Sequence, residues 1–446
     1  MNSVPEHIVE RYVERTPKSQ AMNERARRVM PGGNTRTGVH YAPYPAFMVQ
    51  GSGAYLTDLD GNRYLDLLNN FTSLVHGHAH PALNDAAQKQ LAKGTAFASP
   101  MVGQVELAEI ICERVPSVEQ VRFCNSGTEA TMLAARAARA YTGRSGILKM
   151  RGGYHGSHDL AAATADPEAD RGIPDGLRQN IFFAPFNDLN AVESILAEHA
   201  RDIAGILVEP VPNAGGVPLP RDKYLAGLRA LADKHNVLLI FDEVITLRLS
   251  EGGYQNIANV VPDMTAMGKI IGGGFAVGAL GGKRDIMSQF DPARKDRILH
   301  SGTFNGHSVT MAAGIASLQN LPQAEIDRIN ALGDALASGF DDAFKEAGIV
   351  GKTTHVGSLI QVHWRDGEID NMDDVAAGFR NAGELPYLLH LAMLHRGIYA
   401  AARGEYNLST VVNESEVHRA IAAFNESLDE LKPHIAEQYP ALIAAS

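Results

Sequence analysis

Val237-Leu238-Leu239-Ile240-Phe241 is an unbroken apolar run, and it ends on Asp242-Glu243-Val244. Five apolar residues without alternation read as a strand buried on both faces, as in parallel sheets. The acids at its end stand where such sheets present their ligands, outside the carboxyl ends of the strands. Asp242 is therefore a candidate ligand-facing carboxylate. The competing reading is a helix N-cap, for which aspartate at a strand end is equally suited. Upstream, Val121–Cys124, Ile147–Met150, Ile181–Ala184 and Ile203–Val208 are similar short apolar runs, and the Ala-rich stretches Thr128–Tyr141 and Tyr224–His235 have helical character. This alternation, from about residue 80 to 320, predicts an α/β fold with a mainly parallel sheet covered by helices on both faces.

The flanks have a different character. Ser3 and Glu6 have capping-box spacing with Pro5 in the first turn, which predicts an N-terminal helix. A second helix is expected from about Ser19 to Val29, stopping at Pro31-Gly32-Gly33, and Asp60-Gly61-Asn62 reads as a hairpin turn. Beyond the alternating region come a helix over about Gln323–Gly348, a strand at Ser358–Trp364, a helix near Leu385–His395, and then Gly397-Ile398-Tyr399. These predict a smaller α+β domain. The expected division is an N-terminal segment, 1–79, packing with the small domain, a large domain over 80–322, and a small domain over 323–446.

The 446 residues are 45% hydrophobic, enough for a large core, and carry a formal net charge of -11 with no Lys/Arg block. A nucleic-acid binder would carry a basic face, so no nucleic-acid partner is expected. Met1–Thr16 is charged and lacks an apolar signal region, and no apolar run reaches the ~18 residues that a membrane helix needs. The expectation is a cytoplasmic protein with no membrane association, in which the formal glycosylation sequon Asn70-Phe71-Thr72 has no meaning. Cys112 and Cys124, the two cysteines, lack metal-ligand spacing and read as small buried hydrophobes.

Asn125-Ser126-Gly127-Thr128-Glu129-Ala130 follows a predicted strand and opens a predicted helix. A helix N-terminus offers unpaired N–H groups and partial positive charge to a phosphate. Ser126 and Thr128 add hydroxyls, and Gly127 allows close backbone approach; an ordinary N-cap is the alternative. In Met267-Gly268-Lys269-Ile270-Ile271-Gly272 a lysine stands among apolar and glycine residues. Desolvation lowers a lysine pKa and makes a nucleophilic amine, whereas a surface-loop lysine is the ordinary alternative. His76-Gly77-His78-Ala79-His80 suggests a metal site, but no acidic or cysteine partner is expected near it and Pro81 marks a turn. His155-Gly156-Ser157-His158 follows Tyr154 and reads as the wall of a cofactor site. No metal is expected.

The order of these elements resembles the class III pyridoxal-5'-phosphate (PLP)-dependent aminotransferases, a family that includes glutamate-1-semialdehyde aminomutase and the ω- and β-amino acid aminotransferases. The resemblance runs from about Met30 to Ser409. It rests on Asn125–Ala130, Gly153-Tyr154-His155-Gly156, Val208-Glu209-Pro210, Asp242-Glu243-Val244, Gly268–Gly274 and Ser301-Gly302-Thr303-Phe304. It implies a PLP-dependent transferase fold of type I and a homodimer with shared active sites. It implies that Lys269 holds PLP as a Schiff base and shuttles the proton, and that Asp242 pairs with the pyridine nitrogen. Val244 and Tyr154 would pack on the two ring faces, with His155 in the adjoining wall. Ser126, Gly127 and Thr128 would hold the phosphate, Thr303 would reach it from the partner subunit, and Glu209 would sit beside the ring hydroxyl. Two stretches depart from many relatives: Thr246-Leu247-Arg248 stands where Gly-Phe-Arg is common, and Gly306-His307 where Asn-Pro is common.

Pro31-Gly32-Gly33-Asn34-Thr35-Arg36 and Tyr41–Pro45 resemble the corresponding region of β-phenylalanine aminotransferases, which implies that Arg36 binds a β-amino acid carboxylate. Arg403 matches the position that takes an α-carboxylate. A guanidinium fork suits both tasks, and a surface ion pair is the alternative for each arginine. Phe71, Val75 and His76 would line the pocket for the substituent. The expected reaction moves an amino group from a β-amino acid or ω-amine to a keto acid such as pyruvate or 2-oxoglutarate. One alternative is a glutamate-1-semialdehyde 2,1-aminomutase, with Ala161–Ile173 as a lid. The other is a nucleotide-binding protein of similar architecture that holds no PLP.

Overall fold

The computed structural model describes residues 3–444; Met1, Asn2, Ala445 and Ser446, the outer ends of the expected domains, lie outside them. The described residues fall into two compact units. One comprises Pro81–Ile326 with Asp370–Met372, and the other the residues up to His80, Asp327–Ile369 and those from Asp373 onward.

The first unit is built on a seven-stranded sheet. In chain order its strands are β1 (Gln120–Cys124), β2 (Gly146–Met150), β3 (Ile181–Ala184), β4 (Ile203–Val208), β5 (Leu238–Asp242), β6 (Met264–Gly268) and β7 (Gly278–Gly282). They lie side by side as β1-β7-β6-β5-β4-β2-β3. Strands β6 to β3 in that order are parallel, and β7 runs antiparallel to both β1 and β6. The central strands show why apolar runs were unbroken. Ile147, Leu207 and Ile240 join the core on one face, while Leu148, Ile206, Leu239 and Phe241 join the core on the other. Helix Gly127–Thr142 covers the first face with Ala130, Ala134, Ala137 and Ala138, all fully buried. Helices Leu189–His199 and Tyr224–His235 cover the second with Val192, Leu196, Leu225 and Leu228. Each buried leucine or isoleucine contributes roughly 1.5–3 kcal/mol of transfer free energy.

Two of the seven strands carried no sequence signal of their own. β7, Gly278-Ala279-Leu280-Gly281-Gly282, has three glycines where a strand would show side chains. The glycines answer to packing: a methyl on Gly278 would lie 2.0 Å from the Ser126 carbonyl, and one on Gly281 2.6 Å from Val118. Cys124 is buried as expected, but Cys112 is only half-buried, a correction that follows from its place on the partly exposed helix Val102–Arg114.

The second unit opens with helix Val4–Arg15, where Ser3 and Glu6 form the expected capping box. Tyr55–Asp58 and Arg63–Asp66 pair across the expected hairpin turn, in which Asp58 Oδ1 accepts from the Asp60 and Asn62 N–H groups. Ile398–Tyr399 adds a parallel strand beside Arg63–Asp66. Lys352–Val356, Leu359–His363 and Glu405–Asn407 form a separate antiparallel sheet. The unit's core includes Phe340, Phe344 and Phe424. Phe424 belongs to the helix Glu414–Gln438, which the sequence reading had left unassigned. No helix among the described residues is long and apolar enough to cross a membrane.

Candidate active site

In the first unit four polar side chains gather beyond the carboxyl ends of β4, β5 and β6. Asp242 closes β5 and is 4% exposed. Its Oδ2 lies 2.8 Å from His155 Nδ1, while its Oδ1 accepts from the Val244 N–H at 3.1 Å. One oxygen thus makes the local turn expected of a cap, and the other braces a histidine from a different loop. His155 is buried, and its Nε2 has no hydrogen-bond partner among the described residues. Glu209 follows β4 and is also buried; its Oε2 accepts from the Tyr154 N–H at 2.8 Å. Burial pushes the Glu209 carboxyl upward, and the Asp242 charge adds to this, while the Tyr154 N–H and the Lys269 cation oppose it. Lys269 follows β6, half-buried, in a left-handed backbone conformation at φ 49°. A non-glycine residue held there by its surroundings is characteristic of functional sites.

Helix Gly127–Thr142 begins beside this group. Ser126 caps it, accepting from the Glu129 N–H at 3.1 Å, and Glu129 reaches back to the Asn125 N–H at 2.8 Å. Val244 lies between two glycines: a methyl at Gly127 would come within 3.0 Å of it, and one at Gly268 within 3.3 Å. Gly156 lets the histidine loop touch the helix start, since a methyl there would lie 2.4 Å from Thr128 Oγ1. Tyr154 is exposed, as is Thr303. Thr303 lines an open depression with Phe97, Gln104 and Phe123, and its neighbour Asn305 accepts from Asn125 Nδ2 at 2.8 Å.

Lys149 was missed by the sequence reading. It is buried on β2, and its Nζ donates to the carbonyls of Leu160, Ala161 and Ala163 at 3.3, 2.6 and 2.9 Å. Burial lowers its pKa to about 8, against the pull of Glu209. The sequence did contain a signal: a lysine inside an otherwise apolar strand. The following segment is pinned by Asp170, which accepts from the Thr164 N–H and pairs with Arg178.

The second unit holds the other predicted residues. Arg36 Nη1 donates to Asn70 Oδ1 at 2.7 Å, and the guanidinium lies over the Phe71 ring, 5.7 Å from its centroid. Arg36 makes no ion pair among the described residues. Arg403 is arranged otherwise: it is paired with the buried carboxylate of Glu405, so the ion-pair alternative is realised there. Val75 and His76 are buried and Phe71 is half-buried. His76 Nδ1 lies 3.2 Å from Thr410 Oγ1. The expectation of no acidic partner near the histidine cluster is corrected, because His78 Nε2 lies 2.7 Å from Asp66 Oδ2. The strand that carries Asp66 ends on the turn leading to the cluster, which residue spacing alone did not reveal.

Asn69, Asn70, Phe71 and Thr72 all have positive φ, at 48°, 49°, 54° and 70°. Left-handed backbone costs roughly 1–2 kcal/mol per ordinary residue, and less for asparagine. The turn is held from below. Asp66 Oδ1 accepts from the Leu68 and Asn69 N–H groups, Asn69 Nδ2 donates to the Asn407 carbonyl, and Asn407 Nδ2 donates to that of Leu68.

The chain is similar to known proteins along most of its length. The family Aminotransferase class-III matches residues 37–396. A glutamate-1-semialdehyde 2,1-aminomutase of Desulforamulus reducens is 41% identical over 92% of this chain and 97% of its own length. A beta-phenylalanine transaminase of Variovorax paradoxus is 37% identical over 93% of both chains. The solved structure of an omega-transaminase from Sphaerobacter thermophilus superposes with a TM-score of 0.89 at 42% identity, covering 94% of this chain and 99% of that one.

Proposed function

Since the chain belongs to the aminotransferase class-III family, we propose that this PLP-dependent enzyme moves an amino group from a carboxylate-bearing amine, a β-amino acid or ω-amine, to a keto acid such as pyruvate or 2-oxoglutarate. The observation that carries the reading is Arg36, a guanidinium with a neutral partner and no acid, lying over the aromatic ring of Phe71. A permanent cation with an uncommitted charge suits a carboxylate, and an aromatic beside it suits a bulky substituent.

The first unit's residues fit the cofactor. The buried Nε2 of His155, without a partner among the described residues, and the glycines packed around Val244 suit a flat group. Bound PLP supplies an aldehyde that condenses with amines and a ring that withdraws electrons from the amine-bearing carbon. The Lys269 amine would hold that aldehyde and serve as the proton carrier at its Nζ. Asp242 would keep a proton on the ring nitrogen, with His155 fixing its carboxylate. Ser126, Gly127 and Thr128 would hold the phosphate, joined by Thr303 of a second copy in a homodimer. Tyr154 and Val244 would pack on the ring, with Glu209 near its hydroxyl. Arg403 receives the acceptor's α-carboxylate once its pair with Glu405 opens; Phe71, Val75 and His76 would line the pocket for the substituent. We assign the domains as 1–79 with 323–446, and 80–322.

A glutamate-1-semialdehyde aminomutase is the second reading, favoured by the 41% identity to an enzyme of that name. A donor–acceptor panel separates the two. β-Phenylalanine, ω-amines and glutamate-1-semialdehyde are each offered with pyruvate or 2-oxoglutarate, and products are quantified. Transfer yields one keto product per amino acid formed. Isomerisation of glutamate-1-semialdehyde without an acceptor, and no transfer from the other donors, would replace the first reading by the second. Borohydride reduction of the holoenzyme followed by peptide mapping is expected to label Lys269; a label on another lysine overturns its assigned role.

A further inference from the structure

We propose that Asn70, displayed on the left-handed turn Asn69–Thr72, is the positioning and specificity-determining residue that aims Arg36 at the substrate carboxylate while leaving its charge unspent. This rests on the reading of Arg36 as the carboxylate-binding residue and adds to it a second residue and a reason for its chemistry.

Three observations carry the inference. The first is the contact: Arg36 Nη1 donates to Asn70 Oδ1 at 2.7 Å, the one side-chain hydrogen bond of that guanidinium among the described residues. The second is the backbone. Four consecutive residues with positive φ present Asn70 and Phe71 together, and the buried network of Asp66, Asn69 and Asn407 holds the turn from beneath. Asn70 Nδ2 also donates to Ser73 Oγ at 3.0 Å, and Ser73 Oγ donates back to the Asn70 carbonyl at 3.0 Å, so the amide has a fixed orientation. The third is the crowding on the other side: the Phe71 ring edge lies 3.4 Å from where a methyl on Gly38 would sit, two residues beyond Arg36. Arg36 is itself set by an Asn34 side chain that accepts from its N–H at 3.0 Å. Two short loops, each locked by asparagine, thus bring one guanidinium and one aromatic ring into register.

The choice of an amide is the chemical point. Its carbonyl accepts from the guanidinium and fixes its orientation, but adds no charge. An aspartate could adopt the same backbone and accept the same hydrogen bond. It would also supply an internal carboxylate that competes with the substrate for Arg36, much as Glu405 holds Arg403. Glycine would keep the left-handed turn without strain and remove the guide altogether.

The test compares Asn70→Gly, Asn70→Asp and Arg36→Gln holoenzymes. Two readouts are used: calorimetric binding of hydrocinnamate, a carboxylate with no amine, and kcat and KM for β-phenylalanine against α-methylbenzylamine, its counterpart without the carboxylate. Arg36→Gln should weaken hydrocinnamate about a hundredfold, and Asn70→Gly about tenfold through KM with kcat nearly unchanged, as expected for losing a hydrogen bond to a charged group. Asn70→Asp should be worse than Asn70→Gly for both carboxylates, and in all three variants kcat/KM should fall further for β-phenylalanine than for α-methylbenzylamine. If Asn70 merely supports the turn, Asn70→Asp would retain parental binding, or α-methylbenzylamine would suffer equally; either result overturns the inference and leaves Arg36 in its role. If Arg36→Gln binds hydrocinnamate normally, the reading of Arg36 itself falls. Circular dichroism melting of each variant confirms that a folded protein is being compared.

Discussion

The two units hold their candidate functional side chains in opposite electrostatic settings. In the first unit Asp242, His155 and Glu209 are all buried, and each is braced by a hydrogen bond from a different loop or strand end. Such preorganised groups act without rearranging during reaction. In the second unit Arg36 is exposed and tied to a neutral amide, whereas Arg403 is closed on a buried carboxylate. Two arginines with the same expected task therefore differ in available charge. The candidate groups of the first unit are fixed by burial, whereas in the second one arginine keeps its charge open and the other is paired.

The largest effect that would sharpen this contrast belongs to the first unit. Lys269→Ala should lower kcat about a thousandfold or more, because the proposed roles of Lys269 are those of nucleophile and proton carrier. Steady-state turnover with any accepted donor measures it. Asp242→Asn should follow with a loss of about a hundredfold in kcat and little change in KM for the donor. A pure KM effect would show that this buried pair acts in binding.

The arginines differ in stability as well as in catalysis. Arg403→Ala removes the ion pair of the buried Glu405 carboxylate and should cost about 1–3 kcal/mol in chemical denaturation. Arg36→Gln breaks only an exposed contact and should stay within about 0.5 kcal/mol of the parent. Equal losses would erase the distinction between the open and the paired arginine.

The smallest effect concerns the interior of the second unit. His390 is buried against Tyr41, with ring centroids 4.5 Å apart, and its Nε2 has no partner among the described residues. Burial lowers its pKa from the usual 6.5 to about 3. The unfolded chain therefore takes up a proton near 6.5 that the folded chain refuses until about 3. Stability present above the first value is lost as pH falls toward the second. His390→Leu should flatten that part of the stability-versus-pH curve, as read by urea melts across it.

Much of the first unit was legible because its parallel strands are buried on both faces and so appear as unbroken apolar runs. Ile181–Ala184 and Ile203–Val208 fell on their observed bounds for that reason. β7 was not legible, because its glycines answer to the Ser126 carbonyl and Val118, contacts distant in sequence. At the candidate site, Lys269, Asp242 and the start of helix Gly127–Thr142 stood out as candidates from their local surroundings. The pairing of His155 with Asp242 spans 87 residues, and no local pattern announces it. The left-handed turn was hidden differently. Asn69-Asn70 permits such a backbone but does not require it, and Asp66 and Asn407 supply the compulsion.

Lys149 has a consequence for the mobility of the segment that follows it. A single interior ammonium gathers three carbonyls from the short stretch Leu160–Ala163, and Asp170 gathers the next stretch through Thr164 and Arg178. A loop moored at both ends has fewer conformations open to it. Replacing that lysine by methionine would keep its bulk and cut the mooring, and the cost should appear as faster amide hydrogen exchange over this stretch.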